Sequence, residues 1–195
     1  MAHASLTSEK AVLRLRMREL RRQLASDAPD AAERVAALLH AEFLGRWRAI
    51  GGYQPQGAEI DPRPLMRRFA EAGAHIALPA APDSNGPLTF RAYSTGDVLV
   101  PDAWGVPSPP DAAAIITPDL VIAPLLAFDR RGGRMGQGGG HYDRTLAALR
   151  ARSPVFVLGL GYAGQEVAEV PHQAHDQRLD AILTEKAYIE VRKDS

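Results

Sequence analysis

The chain has no cysteine among its 195 residues, so it forms no disulfide, offers no thiolate nucleophile and supplies no Cys ligand for zinc or an iron–sulfur cluster. Nothing marks an oxidising compartment, and the cytoplasm is the expected location. An excess of charge of either sign is also missing: 23 Lys plus Arg balance 23 Asp plus Glu, a formal net charge of zero. No whole-molecule field then favours nucleic acid or an anionic membrane, and any anion must be bound locally. Long apolar runs are lacking as well. The longest, Leu120 to Phe128, is about half of the ~20 residues that a membrane helix requires, and charges stand where a signal peptide would have its apolar core. A soluble protein is expected. With no internal repeat or low-complexity linker, and with 46% hydrophobic and 24% charged residues in ordinary globular proportion, residues 1–195 are expected to form one domain.

What is present reads as alternating helices and strands. From about Thr7 to Leu24, Leu13, Met17, Leu20 and Leu24 recur at steps of three and four and share one helical face. Lys10, Arg14 and Arg18 form a second stripe along the edge of that face, either as a solvated basic surface or as charge presented to a cleft. Ser26 or Asp27 can cap a second helix with Pro29 in its first turn and with Val35, Leu38, Leu39 and Phe43 on its buried side. Next come a strand over Ala49 to Tyr53, a helix over Asp61 to Glu71 capped by Asp61, and a strand over His75 to Pro79. Leu88 to Tyr93 alternates as a strand does, whereas the proline-rich Pro101 to Pro110 suits neither a helix interior nor a central strand. Strands over Leu120 to Ala123 and Val155 to Leu160, a helix over Tyr142 to Arg150 and a last strand over Ala181 to Thr184 complete the series. Uninterrupted apolar strands separated by helices predict an α/β fold of three layers, α/β/α, around an open, mainly parallel sheet.

In such sheets ligands bind outside the carboxyl ends of strands. The richest loop there runs from Phe128 to Arg144 and contains Gly132, Gly133, Gly136, Gly138, Gly139 and Gly140 before the next helix. Glycines in this number let backbone N–H groups converge on one point, and the helix start adds free donors and a positive dipole end. A phosphate suits this loop. Arg134 can clamp phosphate oxygens, and Asp143 can ligate a hard cation that bridges them, with Asp176 as its partner. No Gly-Lys-Ser or Gly-Lys-Thr follows the glycines, so this is not a Walker A loop. Gly159-Leu160-Gly161-Tyr162-Ala163-Gly164 fits a dinucleotide pattern, yet Pro171 leaves little room for the long helix that the pattern needs. His172, His175 and Asp176 make a weak zinc candidate. Glu59, beyond the first strand, can accept hydrogen bonds from a polar heterocycle, and no Gly-x-Ser-x-Gly elbow supports a hydrolase triad.

Several segments together resemble the 5-formyltetrahydrofolate cyclo-ligases. They are the Lys10 and Arg14 spacing, Tyr53-Gln54-Pro55-Gln56-Gly57-Ala58-Glu59-Ile60-Asp61, Ala103-Trp104-Gly105-Val106-Pro107, the Phe128 to Arg144 loop, His175-Asp176 and Asp180-Ala181-Ile182-Leu183-Thr184. The resemblance implies an open sheet like that of ribose-5-phosphate isomerase and the CoA-transferases. It also implies an ATP- and Mg2+-dependent closure of 5-formyltetrahydrofolate to 5,10-methenyltetrahydrofolate, with ADP and phosphate released and ATP as co-substrate. The resemblance places Lys10, Arg14, Arg134 and Gly136, Gln137, Gly138, Gly139, Gly140, His141 and Tyr142 on ATP, with Arg134 and Lys10 as catalytic cations. Gln54, Glu59, Trp104 and Tyr142 fall to the folate, and Asp143 and Asp176 to magnesium. Partners are small molecules, without nucleic acid or membrane, and a monomer is expected. The chain departs from the family pattern at His141, where a tyrosine is usual, and at Ser108, where a Glu-Pro pair is usual. Two other classes stay open: an idle nucleotide- or folate-binding module, and a phosphotransferase acting on another formamide-like metabolite.

Overall fold

The protein is described by a computed structural model covering residues 2–82 and 86–191. Helix α1 spans Ala2–Asp27 and is longer at both ends than the apolar stripe that predicts it. Met17 is its buried anchor, packed with Leu126, Ala127, Met135 and Val170 in a small cluster apart from the two main cores. Of the basic stripe, Lys10, 8% exposed, and Arg14 are cleft charge, whereas Arg18 bonds Gln137 at the exposed edge; Arg21, beyond the stripe, is 7% exposed and also faces inward.

The second expected helix is two: α2 (Ala31–Leu38) and α3 (Ala41–Leu44). Ser26 and Asp27 lie within α1, so neither caps α2, and Asp30 takes that position with its carboxylate paired to Arg34 at 3.1 Å rather than to a helix amide. Leu39 turns extended after α2 (φ −87°, ψ 128°), and Phe43 in α3 packs instead on Trp47, Phe156 and Tyr188. The apolar spacing survives this break because both short helices bury the same side.

The remaining elements are β1 (Ala49–Gly51), α4 (Arg63–Glu71), β2 (His75–Ala80), β3 (Thr89–Ala92), β4 (Val100–Pro101), β5 (Pro107–Ser108), β6 (Leu120–Pro124), β7 (Ala127–Phe128), β8 (Arg134–Met135), α5 (His141–Arg150), β9 (Phe156–Leu160), β10 (Ala181–Leu183) and β11 (Tyr188–Glu190). Pro62, not Asp61, precedes the first turn of α4, while the Asp61 carboxylate accepts the Arg63 amide at 2.9 Å.

Seven strands form one sheet in the order β11-β10-β9-β6-β1-β2-β3. The inner pairs are parallel, and only the edge strands β3 and β11 run antiparallel to their neighbours. Strand β11 follows the expected last strand. It is a three-residue return over a turn in which the Thr184 hydroxyl accepts the Lys186 and Ala187 amides, and so short an edge carries little pattern in the sequence. The proline-rich segment stays outside this sheet, as expected, and makes the separate hairpin of β4 and β5.

Successive residues of β6 face opposite sides, as the two-residue period of a strand requires. Leu120 and Ile122 join a core with Val35, Leu65 and Phe69 from α2 and α4. Val121 and Ala123 join a second core with Leu146 of α5. That gives three layers. From β1 the chain steps outward to β2 and β3, and from β6 it steps the other way to β9 and β10. The crevice beyond the carboxyl ends of β1 and β6 is therefore the switch point at which open α/β sheets hold their ligands.

Candidate active site

A cleft of about 390 Å³ opens at that crevice. Its wall beyond β6 is the glycine loop. The β7–β8 hairpin is pinned by Asp129, 3% exposed, whose carboxylate accepts the amides of Arg131, Gly133 and Val170 at 2.8–2.9 Å. A side chain at Gly133 would meet that carboxylate at 2.4 Å, which accounts for this glycine. Asp129 escaped the sequence reading because one acid in a loop has no distinguishing spacing. Gly136 to Gly140 then lead into α5, and Gly140 turns the chain through a left-handed conformation (φ 67°) that glycine adopts freely. The loop and the start of α5 thus face the cleft with free amides and the positive end of a helix.

Arg134 lies behind this loop with its side chain 4% exposed. It donates to the Pro124 carbonyl at 3.3 Å and to Asp143 at 3.2 Å, and its guanidinium sits 5.5 Å from the Tyr142 ring centre. Its Nε is buried without an acceptor among the described residues. A buried donor so placed is suited to an anion, since leaving it unmet is costly.

Helix α1 supplies the facing wall. Lys10 donates to Asp176 at 2.6 Å, Arg14 to the Gly136 carbonyl at 3.2 Å, and Arg18 to the Gln137 side chain at 3.0 Å. Burial works to raise the Asp176 carboxyl, but hydrogen bonds from Lys10 and the Gln173 amide, with the Lys10 charge, outweigh it and hold the group below the usual carboxylate range. Asp176 is therefore ionised at neutral pH.

At the other end of the cleft, Glu59 accepts Arg21 at 3.1 Å and the Gln56 amide at 2.9 Å. Gln54, Tyr53 and Tyr142 line the same space. Burial, and then the Glu59 charge, push both tyrosines above the ordinary phenol range; Tyr162 and Tyr188 are raised too, with burial as the largest cause. A group raised in the native state stabilises the fold fully below its unfolded pKa of about 10, and that contribution is lost as pH climbs through the native value. Spectrophotometric titration should therefore show phenolate absorbance from Tyr53 and Tyr142 only as the protein opens. Reversible ionisation of these two near pH ~10 with the fold intact would contradict this.

Trp104, 59% exposed, stands at the rim, edge-on to His141 with ring centres 5.4 Å apart. Its turn is set by Asp102, which accepts the amides of Ala81, Trp104 and Val106. Every residue expected at the site lines this one cleft. Sequence reasoning missed Arg21, Asp102 and Gln173. Arg21 carries a helical signal: it continues the spacing of Lys10 and Arg14 by seven residues, two further turns.

Two alternatives fall away. Gly159 and Gly161 pack against Leu179 and Leu125, and only a 3-10 turn at Ala163–Gln165 follows, so this is a tight turn rather than a dinucleotide loop. His172 and His175 lie 3.9 and 3.6 Å from Asp176, largely solvent-facing, and no group of three or more His, Asp or Glu suited to a metal forms among the described residues. Asp143 and Asp176 do line the cleft beside the glycine loop. Two carboxylates without a protein cage are the donor set that magnesium uses when phosphate oxygens and water complete its octahedron.

The sequence profile of the 5-formyltetrahydrofolate cyclo-ligase family matches residues 6–185. A 5-formyltetrahydrofolate cyclo-ligase of Mycolicibacterium smegmatis is 34% identical over 162 residues, spanning 75% of this chain and 82% of that one. The cyclo-ligase of Escherichia coli K12 is 35% identical over 131 residues, 65% of this chain and 71% of its own. Among solved structures, the Aquifex aeolicus 5,10-methenyltetrahydrofolate synthetase superposes with a TM-score of 0.78 at 25% identity, covering 95% of this chain and 94% of that one.

Proposed function

The chain belongs to the 5-formyltetrahydrofolate cyclo-ligase family, and we propose that its cleft closes 5-formyltetrahydrofolate to 5,10-methenyltetrahydrofolate at the expense of ATP. The protein is a ligase. The observation that carries the assignment of parts is the joining, in one cleft, of a phosphate cradle and a buried carboxylate, Glu59, with the exposed Trp104 at the rim.

The formyl oxygen is a poor leaving group, so it first attacks the γ-phosphorus of ATP. A bond from that oxygen to phosphorus forms, the bond from phosphorus to the ADP oxygen breaks, and an imidoyl phosphate results. N10 then attacks the activated carbon. As the C–O bond breaks and phosphate leaves, N10 loses its proton and the five-membered ring closes. The protein's work is positioning and charge. Amides of Gly136, Gln137, Gly138, Gly139 and Gly140, with His141 and Tyr142 at the helix start, hold the phosphates. Arg134 and Lys10 neutralise the transferring phosphoryl group, and Arg14 steadies the loop through Gly136. Gln54, Glu59, Trp104 and Tyr142 hold the folate ring. Asp143 and Asp176 would hold Mg2+, which supplies charge neutralisation of the triphosphate. All of these residues come from one chain, so a monomer suffices.

Incubating the protein with 5-formyltetrahydrofolate and following methenyl absorbance gives the test. Product should form only with both ATP and a divalent cation. ATP hydrolysis without methenyl product would favour a phosphotransferase acting on another formamide, and binding without turnover an idle module.

A further inference from the structure

Arg21 takes no part in the phosphate site, yet it is only 7% exposed and lines the cleft. Its Nη1 donates to Glu59 Oε1 at 3.1 Å, and both side chains are 8% exposed. Glu59 Oε2 meanwhile accepts the Gln56 amide at 2.9 Å. A carboxylate offers about four lone-pair directions, so roughly two stay open, one on each oxygen.

From this geometry we propose that Arg21 is the positioning residue of the heterocycle subsite, holding the Glu59 carboxylate in one orientation for the paired N–H donors of a 2-amino-4-oxopyrimidine ring. The proposal rests on the folate reading of Glu59 above. The ring N3–H and the neighbouring amino group present two parallel donors, and an ionised carboxylate with one free direction on each oxygen is their complement. Arg21 fixes the angle. Its guanidinium and the Gln56 amide grip different oxygens of Glu59, which leaves the carboxylate no freedom to rotate away from the ring.

The placement of Arg21 on α1 adds a second consequence. Lys10, Arg14 and Arg21 stand four and then seven residues apart, so they lie on one face of the helix. One helix therefore carries the nucleotide cations near its start and the partner of the folate carboxylate near its end. A purely structural Arg21 would staple α1 to the segment after β1, and its loss would harm both substrates alike. A positioning Arg21 acts on one.

The test uses the full chain as wild type, Arg21→Met, Arg21→Lys, Glu59→Gln and the double variant, with steady-state kinetics for each substrate and a thermal melt as control. Arg21→Met should raise the KM for 5-formyltetrahydrofolate about tenfold or more while the KM for ATP stays within about twofold, and Arg21→Lys should recover most of the loss. In the Glu59→Gln background, Arg21→Met should add less than about threefold, because the residue through which it acts is already altered. Wild type should bind the folate in preference to an analogue with methyl in place of the ring amino group, and that preference should shrink about tenfold in Arg21→Met. Equal losses for ATP and folate, fully additive effects in the double variant, or an unchanged preference would each overturn the proposal. If Arg21→Met alone does not fold, Arg21→Lys and the double variant, which removes both charges together, carry the same comparisons. Failure of the cyclo-ligase reading would show separately, as wild-type protein that forms no methenyl product.

Discussion

Asp143→Asn should tighten the binding of metal-free ATP several-fold and, in the same protein, cut turnover with magnesium by about 100- to 1,000-fold. The two effects have opposite signs because the carboxylate does two things. In the empty cleft Asp143 lies 3.2 Å from Arg134, and Asp176 lies 2.6 Å from Lys10. Each cation assigned to phosphate is thus already neutralised by an acid assigned to magnesium. Metal-free ATP must displace these acids and then bear their repulsion. With magnesium present, Asp143 and Asp176 would hold the metal, leaving Arg134 and Lys10 to turn to phosphate. Asparagine keeps the size of Asp143 and can still accept the Gln177 amide, bonded at 3.0 Å, so the fold should persist. Calorimetric titration with ATP in a chelator, beside steady-state rates in magnesium, gives both signs. Weaker metal-free binding together with normal turnover would remove Asp143 from the metal site.

Arg134→Ala should lower kcat/KM for ATP by about 100- to 1,000-fold and leave folate binding within about threefold. Three losses coincide in this variant. The guanidinium with its unmet Nε no longer faces the anion, Asp143 loses its ion-pair partner in a partly buried position, and the contact over the Tyr142 ring disappears. Arg134→Lys should not restore activity, because an ammonium cannot span the Pro124 carbonyl, Asp143 and an anion with one planar fork. Titration of the variant with each ligand separately is the check. Comparable losses for nucleotide and folate would mean that the two ends of the cleft are not divided as assigned.

The residues of the cleft were legible in the sequence where chemistry imposes spacing. The glycines after β8 stand out because a chain without them cannot turn its amides inward, and Lys10 and Arg14 stand out because a helix repeats every few residues. The parallel sheet was legible from apolar runs such as Leu120 to Ala123, which only burial on both faces explains. Asp129 and Asp102 left little trace: each accepts amides two and four residues on, as aspartates in ordinary loop turns do, and only the third amide, of Val170 or Ala81, is brought near by tertiary folding. Arg21 lay in plain view on the helical repeat, but its partner Glu59 is 38 residues away, and no local pattern joins the two. The break between α2 and α3 was hidden for the opposite reason, because the apolar period continues through it.

Helix α1 is held at two places, by a small apolar cluster around Met17 that it shares with Leu126, Met135 and Val170, and by Leu24 and Ala25 at its end, which pack on the larger core of the sheet. It contributes Lys10, Arg14 and Arg21, cations at both ends of the cleft. Attachment of the helix and occupation of the cleft are then linked equilibria. Substrates that engage those cations favour the docked helix over a detached one, by a free energy that grows with the logarithm of ligand concentration above its dissociation constant. A detached α1 would take Lys10, Arg14 and Arg21 out of the cleft together, so bound substrates would act as a further tether for the helix.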